Sequence, residues 1–459
     1  MKKKNILKAL SALLLAALML FTVSCADTSV DKPTEAPKDT EAPTAEAPTE
    51  APVTPMEEIL AALGSLEFGE IKNVILYIGD GMGMNHVPAT DAITGGRYDG
   101  KLAFEYLPVF GTVDVLCTEG EPDSASGGTA LATGYKSKRK FIAQNSKGED
   151  VKTVVELAKE LGKSAGVITS ESIVDATPAT FSVHAPNRND ESVIAGLQIE
   201  TSVADFIMGG GKAMYDKLFD EHPEYKDKLA ENNVTYVTSW EDVLSFDGSG
   251  RLIATMTDDY WEVDAEMTPT LAEMTEQSIK MLSGNDKGFF LMVEGGAMDE
   301  IAHNADIMEL TRHMVAFDKA IEVGLRYAYE NKDTVIIVTA DHNTGGLLPK
   351  EEADSYIAKN EKTSPYIAQE EWCLTNAKLH CLYEAEKIAQ EKNPDVDWNT
   401  LPYRFTTIAH TSDKVNVWAV GPGTESLTEA KLKCFQIGKL IGNLLGGEDF
   451  GSADKNGVK

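Results

Sequence analysis

Apolar residues in this chain come in short unbroken runs, and several of those runs stop at a glycine or an acid. Lys72-Asn-Val-Ile-Leu-Tyr-Ile-Gly79 leads into Asp80-Gly-Met-Gly83, and Gly288-Phe-Phe-Leu-Met-Val-Glu294 ends in a carboxylate. Asp333 to Ala340 delivers Asp341-His342, and Val415 to Val420 precedes Gly421-Pro-Gly423. Runs of this length without polar alternation predict strands buried on both faces. Val109–Leu116 and Ser164–Thr169 read as further strands. Glu57–Leu66, Val151–Leu161, Glu309–Glu330 and about Leu427–Leu445 read as helices. Residues 190–280 read as helices alternating with polar turns, with Gly209-Gly-Gly211 as a turn. Residues 344–405 read as a mostly helical, charged insertion. Strand alternating with helix predicts an α/β fold, a largely parallel central sheet with helices on both faces.

The first 55 residues follow another rule. Lys2, Lys3 and Lys4 precede an apolar run from Ala9 to Val23, then Ser24-Cys25. A basic start and a short apolar core predict an export signal over 1–24, since the run is short for a membrane span. Thr-Glu-Ala-Pro then recurs through residues 27–55, and proline at that density forbids both helix and sheet. We therefore expect a linker over 25–55 and a folded domain over 56–459.

Composition sharpens this picture. The net charge is −31, and losing residues 1–24 with their four lysines and no acid takes it to −35. Such a surface repels phosphate backbones, which excludes nucleic acid as a binding partner. Besides Cys25, only Cys117, Cys373, Cys381 and Cys434 remain. Without CxxC spacing they indicate neither a disulfide framework nor a thiolate zinc site.

The candidate chemistry lies at the strand ends. Three strands finish in acids, Asp80, Glu294 and Asp341, and converging negative charge is unfavourable without cations. Asp299 and His303 are one helical turn apart and face the same way. His342 follows Asp341, and His410 precedes the last strand. Imidazole with carboxylate suits zinc; carboxylates with a hydroxyl suit magnesium. Glu121-Pro-Asp-Ser-Ala-Ser-Gly-Gly-Thr-Ala-Leu-Ala-Thr-Gly134 reads as a turn opening a helix of small residues. Ser124 near its start is either a helix cap or a nucleophile beside an anion-binding helix end.

Taken in order, these motifs resemble the alkaline phosphatase family over roughly Lys72 to Gly423. The matching pieces are Gly79-Asp-Gly-Met-Gly83, Asp123-Ser-Ala125, Asp175-Ala-Thr177-Pro, Val293-Glu-Gly295, Thr339-Ala-Asp-His342 and His410-Thr411. The resemblance implies a phosphomonoesterase acting through a phosphoserine at Ser124, with two zinc ions and one magnesium. Asp299, His303 and His410 would hold the first zinc, and Asp80, Asp341 and His342 the second. Asp80, Thr177 and Glu294 would hold the magnesium, with Asp175 directly or through water. Arg188 would clamp phosphate oxygens, and Asp123 would orient Arg188.

The resemblance further implies small phosphate monoesters as substrates and a homodimer. Ser24-Cys25 resembles a bacterial lipoprotein cleavage site, which implies a cell-surface protein held to the membrane by a lipid on Cys25, or a secreted one without that lipid. A phosphodiesterase of the same superfamily and a non-catalytic phosphate- or metal-binding protein are the alternatives; Ser124 with Arg188 favours the monoesterase. Glu300 departs from the family, where a bacterial relative carries Lys and animal relatives His. A carboxylate there is expected to weaken anion binding or tighten a cation's. His86 and His184 lie near the motifs but match no ligand position and read as residues that pack or that support the ligands from behind; His222, His313 and His380 read as surface residues.

Overall fold

The computed structural model describes residues 54–261, 269–361 and 382–458. The export signal, the linker up to residue 53, Cys25, Cys373, Cys381 and His380 lie outside the described residues. Fourteen strands occur among those described. They are β1 Asn73–Gly79, β2 Val109–Asp114, β3 Ser164–Ser172, β4 Phe206–Gly210, β5 Val234–Val237, β6 Arg251–Thr255 and β7 Phe289–Gly295. They continue with β8 Thr334–Thr339, β9 Asn343–Thr344, β10 Leu348–Pro349, β11 Tyr403–Arg404, β12 His410–Thr411, β13 Val415–Val420 and β14 Leu432–Lys433.

Ten of these form one sheet in the order β14-β2-β13-β8-β1-β7-β3-β4-β6-β5. Only β13 runs against the others. Every residue of β1, β7 and β8 is buried. Successive strand residues point to opposite faces, so both faces of the sheet centre are covered. Helices supply that cover. The 25-residue helix Ile307–Asn331 packs on β8, β7 and β1, and the helix Cys434–Leu445 packs on β1 and on the Ser124 helix. The fold is thus α/β with a largely parallel sheet, as the alternating pattern predicts.

The structure departs from the sequence reading at several places. Residues 190–280 contribute β4, β5 and β6 besides helices. These strands have only four or five residues and sit toward one sheet edge, where polar flanks disguise them. The last helix begins at Cys434 rather than near Leu427, because β14 occupies the residues just before it. His313 is 4% exposed and lies beside Glu309, one helical turn back, so it is no surface residue. Cys117 and Cys434 are buried free thiols. Among the described residues no helix is long and apolar enough to cross a membrane.

Candidate active site

Register places the acids. β1 pairs in parallel with β7 and β8, setting Ile78 opposite Glu294 on one side and Thr339 on the other. Asp80 and Asp341, each two residues farther on, therefore leave the sheet at one level. Open parallel sheets gather ligands at this carboxyl edge. The helix Ala297–His303, just after β7, carries Asp299 and His303 on one face. His410 arrives from more than a hundred residues away through the short ladder of β12 with β9, where it pairs with Thr344.

Ser124 opens the helix Ser124–Thr133, all ten residues of which are buried. Asp123 is its N-cap and accepts from the Ser126 N–H at 3.0 Å. The small residues allow close approach. A Cβ on Gly127 would lie 2.5 Å from the Asp341 carbonyl oxygen, and one on Gly128 would lie 2.7 Å from Thr180 Oγ1. Larger side chains would push the helix off the sheet edge. Ser124 Oγ lies 3.1 Å from His342 Nε2.

Two donor sets converge here. Ligand atoms of Asp299, His303 and His410 lie within 4.8 Å of one another, and so do those of Asp80, Asp299 and His342. Asp341 stands beside the second set, its Oδ2 3.3 Å from His342 Nε2. Thr177 Oγ1 donates to Asp80 Oδ2 at 3.1 Å. The donors fit cations. Asp80 Oδ1 and both oxygens of Glu294 are buried with no hydrogen-bond partner. His410 Nδ1 meets the Pro122 carbonyl at 3.0 Å, and His303 Nδ1 meets the Ile408 carbonyl. With protons placed there, the two Nε2 lone pairs face each other across 3.2 Å, an arrangement that calls for a shared positive charge.

The electrostatics agree. Without a cation, burial pushes Glu294 up to about 8 and Asp341 to about 7. Burial and then the Asp341 charge hold Asp80 well above the carboxylate range. For Asp299 burial acts upward too, but His303 and His410 outweigh it and hold it well below its usual value. Burial would depress His303, yet the Asp299 charge lifts it to about 10. Burial and then His410 drive His342 far down.

Arg188 differs from the sequence reading. Its Nη2 donates to Asp175 Oδ1 and Oδ2 at 3.0 and 3.1 Å. Asp123 does not hold it: that carboxylate is taken by the N–H groups of Ser126 and Lys140. Asp123 reaches Arg188 through charge alone. Arg188 and Asp175 are 22% and 30% exposed, so the site opens on their side. Asp175, expected at the magnesium directly or through water, is the partner of this guanidinium. Two residues escaped the sequence reading. Thr344 Oγ1 bonds Asp299 and lies 3.2 Å from His342 Nδ1; its signal is its place two residues past His342. Glu171 lies on β3 beyond Thr169, where the strand was expected to stop.

The sequence model of the alkaline phosphatase family matches residues 71–436. Alkaline phosphatase 3 of Bacillus subtilis is 30% identical over 405 residues, which span 78% of this chain and 85% of that protein. The solved structure of a cold-active alkaline phosphatase from a psychrophilic Shewanella has a TM-score of 0.66 at 28% identity, covering 81% of this chain and 99% of that one. A mutant TAB5 alkaline phosphatase with magnesium bound in its M3 site scores 0.67 at 25% identity, covering 83% of this chain and all of that one.

Proposed function

We propose, from the premise that this chain belongs to the alkaline phosphatase family and is a phosphoric monoester hydrolase, that Ser124 is its nucleophile and is transiently phosphorylated. The observation that carries this reading is the Ser124 hydroxyl, 3.1 Å from His342 and beside both donor sets, at a helix start. By family resemblance, Asp299, His303 and His410 would hold one zinc, and Asp80, Asp341 and His342 a second. Asp80, Thr177 and Glu294 would hold a magnesium, with Asp175 at its edge. When bound, these ions would lower the pKa of the serine hydroxyl and neutralise charge on the phosphoryl and leaving oxygens.

The chain's own groups do the rest. Ser124 Oγ attacks phosphorus, and the bond to the alcohol oxygen breaks on the opposite side. Water then attacks the phosphoserine, releasing phosphate and restoring the serine. Arg188, steadied by Asp175, turns its remaining N–H groups to the phosphoryl oxygens. The helix start adds favourable dipole for an anion. Export through residues 1–24, a lipid on Cys25, a tether over 25–55, a catalytic domain over 56–459 and a homodimer belong to the same proposal. The mass of the mature N-terminus tests the lipid. Ser124→Ala tests the nucleophile: acid-quenched protein should carry no phosphate from labelled substrate, and monoester turnover should fall by about 10³-fold or more. Full turnover in that variant would place the nucleophile elsewhere.

A further inference from the structure

Three histidines reach into the donor sets, and the ring of each has to be turned so that a nitrogen lone pair points inward. His410 Nδ1 lies on the Pro122 carbonyl at 3.0 Å, and His303 Nδ1 lies on the Ile408 carbonyl. A carbonyl only accepts, so both rings carry a proton on Nδ1 and turn the Nε2 lone pair inward. Among the described residues no carbonyl meets Nδ1 of His342. That atom lies 3.2 Å from the hydroxyl of Thr344, a fully buried residue. The same hydroxyl bonds Oδ1 of Asp299. A hydroxyl has one proton to give, and an ionised carboxylate can only accept. Thr344 therefore donates to Asp299 and accepts from His342, which places the His342 proton on Nδ1. The Nε2 lone pair then faces Ser124 Oγ at 3.1 Å and one oxygen each of Asp80 and Asp341 at 3.3 Å.

We propose that Thr344 is a positioning residue that joins the two donor sets through its one hydroxyl. The inference rests on the proposed function in taking those sets to hold the two zinc ions. The bond divides Asp299 between its neighbours. Oδ1 goes to Thr344, which leaves Oδ2 for the other set, 3.1 Å from His303 Nε2 and 3.6 Å from His410 Nε2. His342 Nδ1 and Asp299 Oδ1 stand 3.9 Å apart, too far for a hydrogen bond of their own, so the hydroxyl is the link between them. The backbone holds that hydroxyl in place. The Thr344 N–H donates to the Gly81 carbonyl at 3.0 Å, and Thr344 pairs with His410 across β9 and β12. Gly81 closes the space behind the bond. At its φ of +65°, a Cβ there would lie 2.5 Å from Asp299 Oδ1 and 3.0 Å from Thr344 Oγ1. Main chain thus orients two of the ligand histidines, and a side chain orients the third. A group that orients a ligand from behind fixes its ring and raises its basicity, and losing it weakens a metal by about 10- to 100-fold.

The test compares Thr344→Val, which keeps the shape and removes the hydroxyl, with Thr344→Ser, which keeps the hydroxyl. Zinc affinities are read by titrating metal-free protein against a competing chelator. Thr344→Val should bind both zinc ions at least about tenfold more weakly than wild type, and Thr344→Ser should stay within about threefold. Wild-type affinity at either site in Thr344→Val would overturn the inference. An equal loss in Thr344→Ser would overturn it too, since the effect would then belong to packing of the methyl group. The ring proton supplies a readout that needs no metal. In nitrogen NMR spectra of metal-free wild type and Thr344→Ser, His342 should carry its proton on Nδ1, and Thr344→Val should lose that preference. A proton on Nε2 in wild type would sink the inference. If wild type kept the Nδ1 proton but bound no zinc, the metal reading of the site would fall and the positioning role would stand.

Discussion

Asp318, on the helix Ile307–Asn331, and Glu294, at the end of β7, are both fully buried acids. Asp318 is answered from within the chain. Its Oδ1 accepts from the Phe104 N–H at 3.2 Å and its Oδ2 from Arg97 at 2.7 Å. Glu322, one turn on, also pairs with Arg97 and accepts from the Tyr98 hydroxyl at 2.8 Å. Glu294 has neither a backbone N–H nor a guanidinium on it, and only the Thr169 and Asp80 side chains oppose its burial. Burial raises both groups, but Asp318 only to about 6, because backbone N–H and Arg97 oppose it, while Glu294 reaches about 8. A carboxylate matched by the chain's own donors holds the fold together. One left unmatched at a sheet edge is kept for something that binds.

Removing metal should break the comparison most visibly. An ion held at a thousand times its Kd stabilises the fold by about 4 kcal/mol, so chelation should lower the Tm sharply. The pH sign follows from Glu294. An acid raised from 4.5 to about 8 costs the fold nothing below 4.5 and progressively more as pH rises toward 8. Chelated protein should therefore lose stability across that window, and returning zinc and magnesium should cancel the loss. A Tm indifferent to chelator at pH 8 would refute the distinction.

Arg97→Met attacks the other region. It strands Asp318 and should cost about 3 kcal/mol in denaturant unfolding, by the same amount with and without chelator. A metal-dependent cost would mean that the two regions are not separate.

Asp175→Asn should loosen Arg188 without touching either matched acid. The expected result is a KM for aryl phosphate raised by about tenfold, roughly 1.4 kcal/mol, with a smaller change in kcat and no change in stability.

The smallest effect belongs to His184, which binds the Ala143 carbonyl at 2.9 Å and Glu156 at 3.0 Å. Burial would lower its pKa, but the Glu156 hydrogen bond outweighs it and the net shift is upward. The contribution is therefore present below the unfolded pKa and lost as pH rises through the folded one. Both side chains are partly exposed, so His184→Gln should cost under about 1 kcal/mol, and only on the acid side. Stability curves at pH 6 and pH 9 check this.

Much of the fold was legible from local pattern. Val415–Val420 is a strand over the predicted residues, and the other central strands are shifted by only one to three residues at their ends. Long apolar runs admit few other structures. Val234–Val237 escaped because four residues, one buried, one exposed and two half-buried, carry too little pattern to separate strand from turn. His313 was misplaced because one polar residue on a long amphipathic helix does not declare its face.

The sequence by itself determined the kinds of donors, the acids that end apolar strands, and the turn that sets Asp299 against His303. These follow from residue type and from helix or strand period, which are local. Tertiary structure alone decided that His410 meets His303, that Arg188 bonds Asp175, and that Gly127 lies against the Asp341 backbone. Those pairings depend on sheet register and on how closely backbones approach where a glycine leaves room, and neither is written in the spacing of residues along the chain.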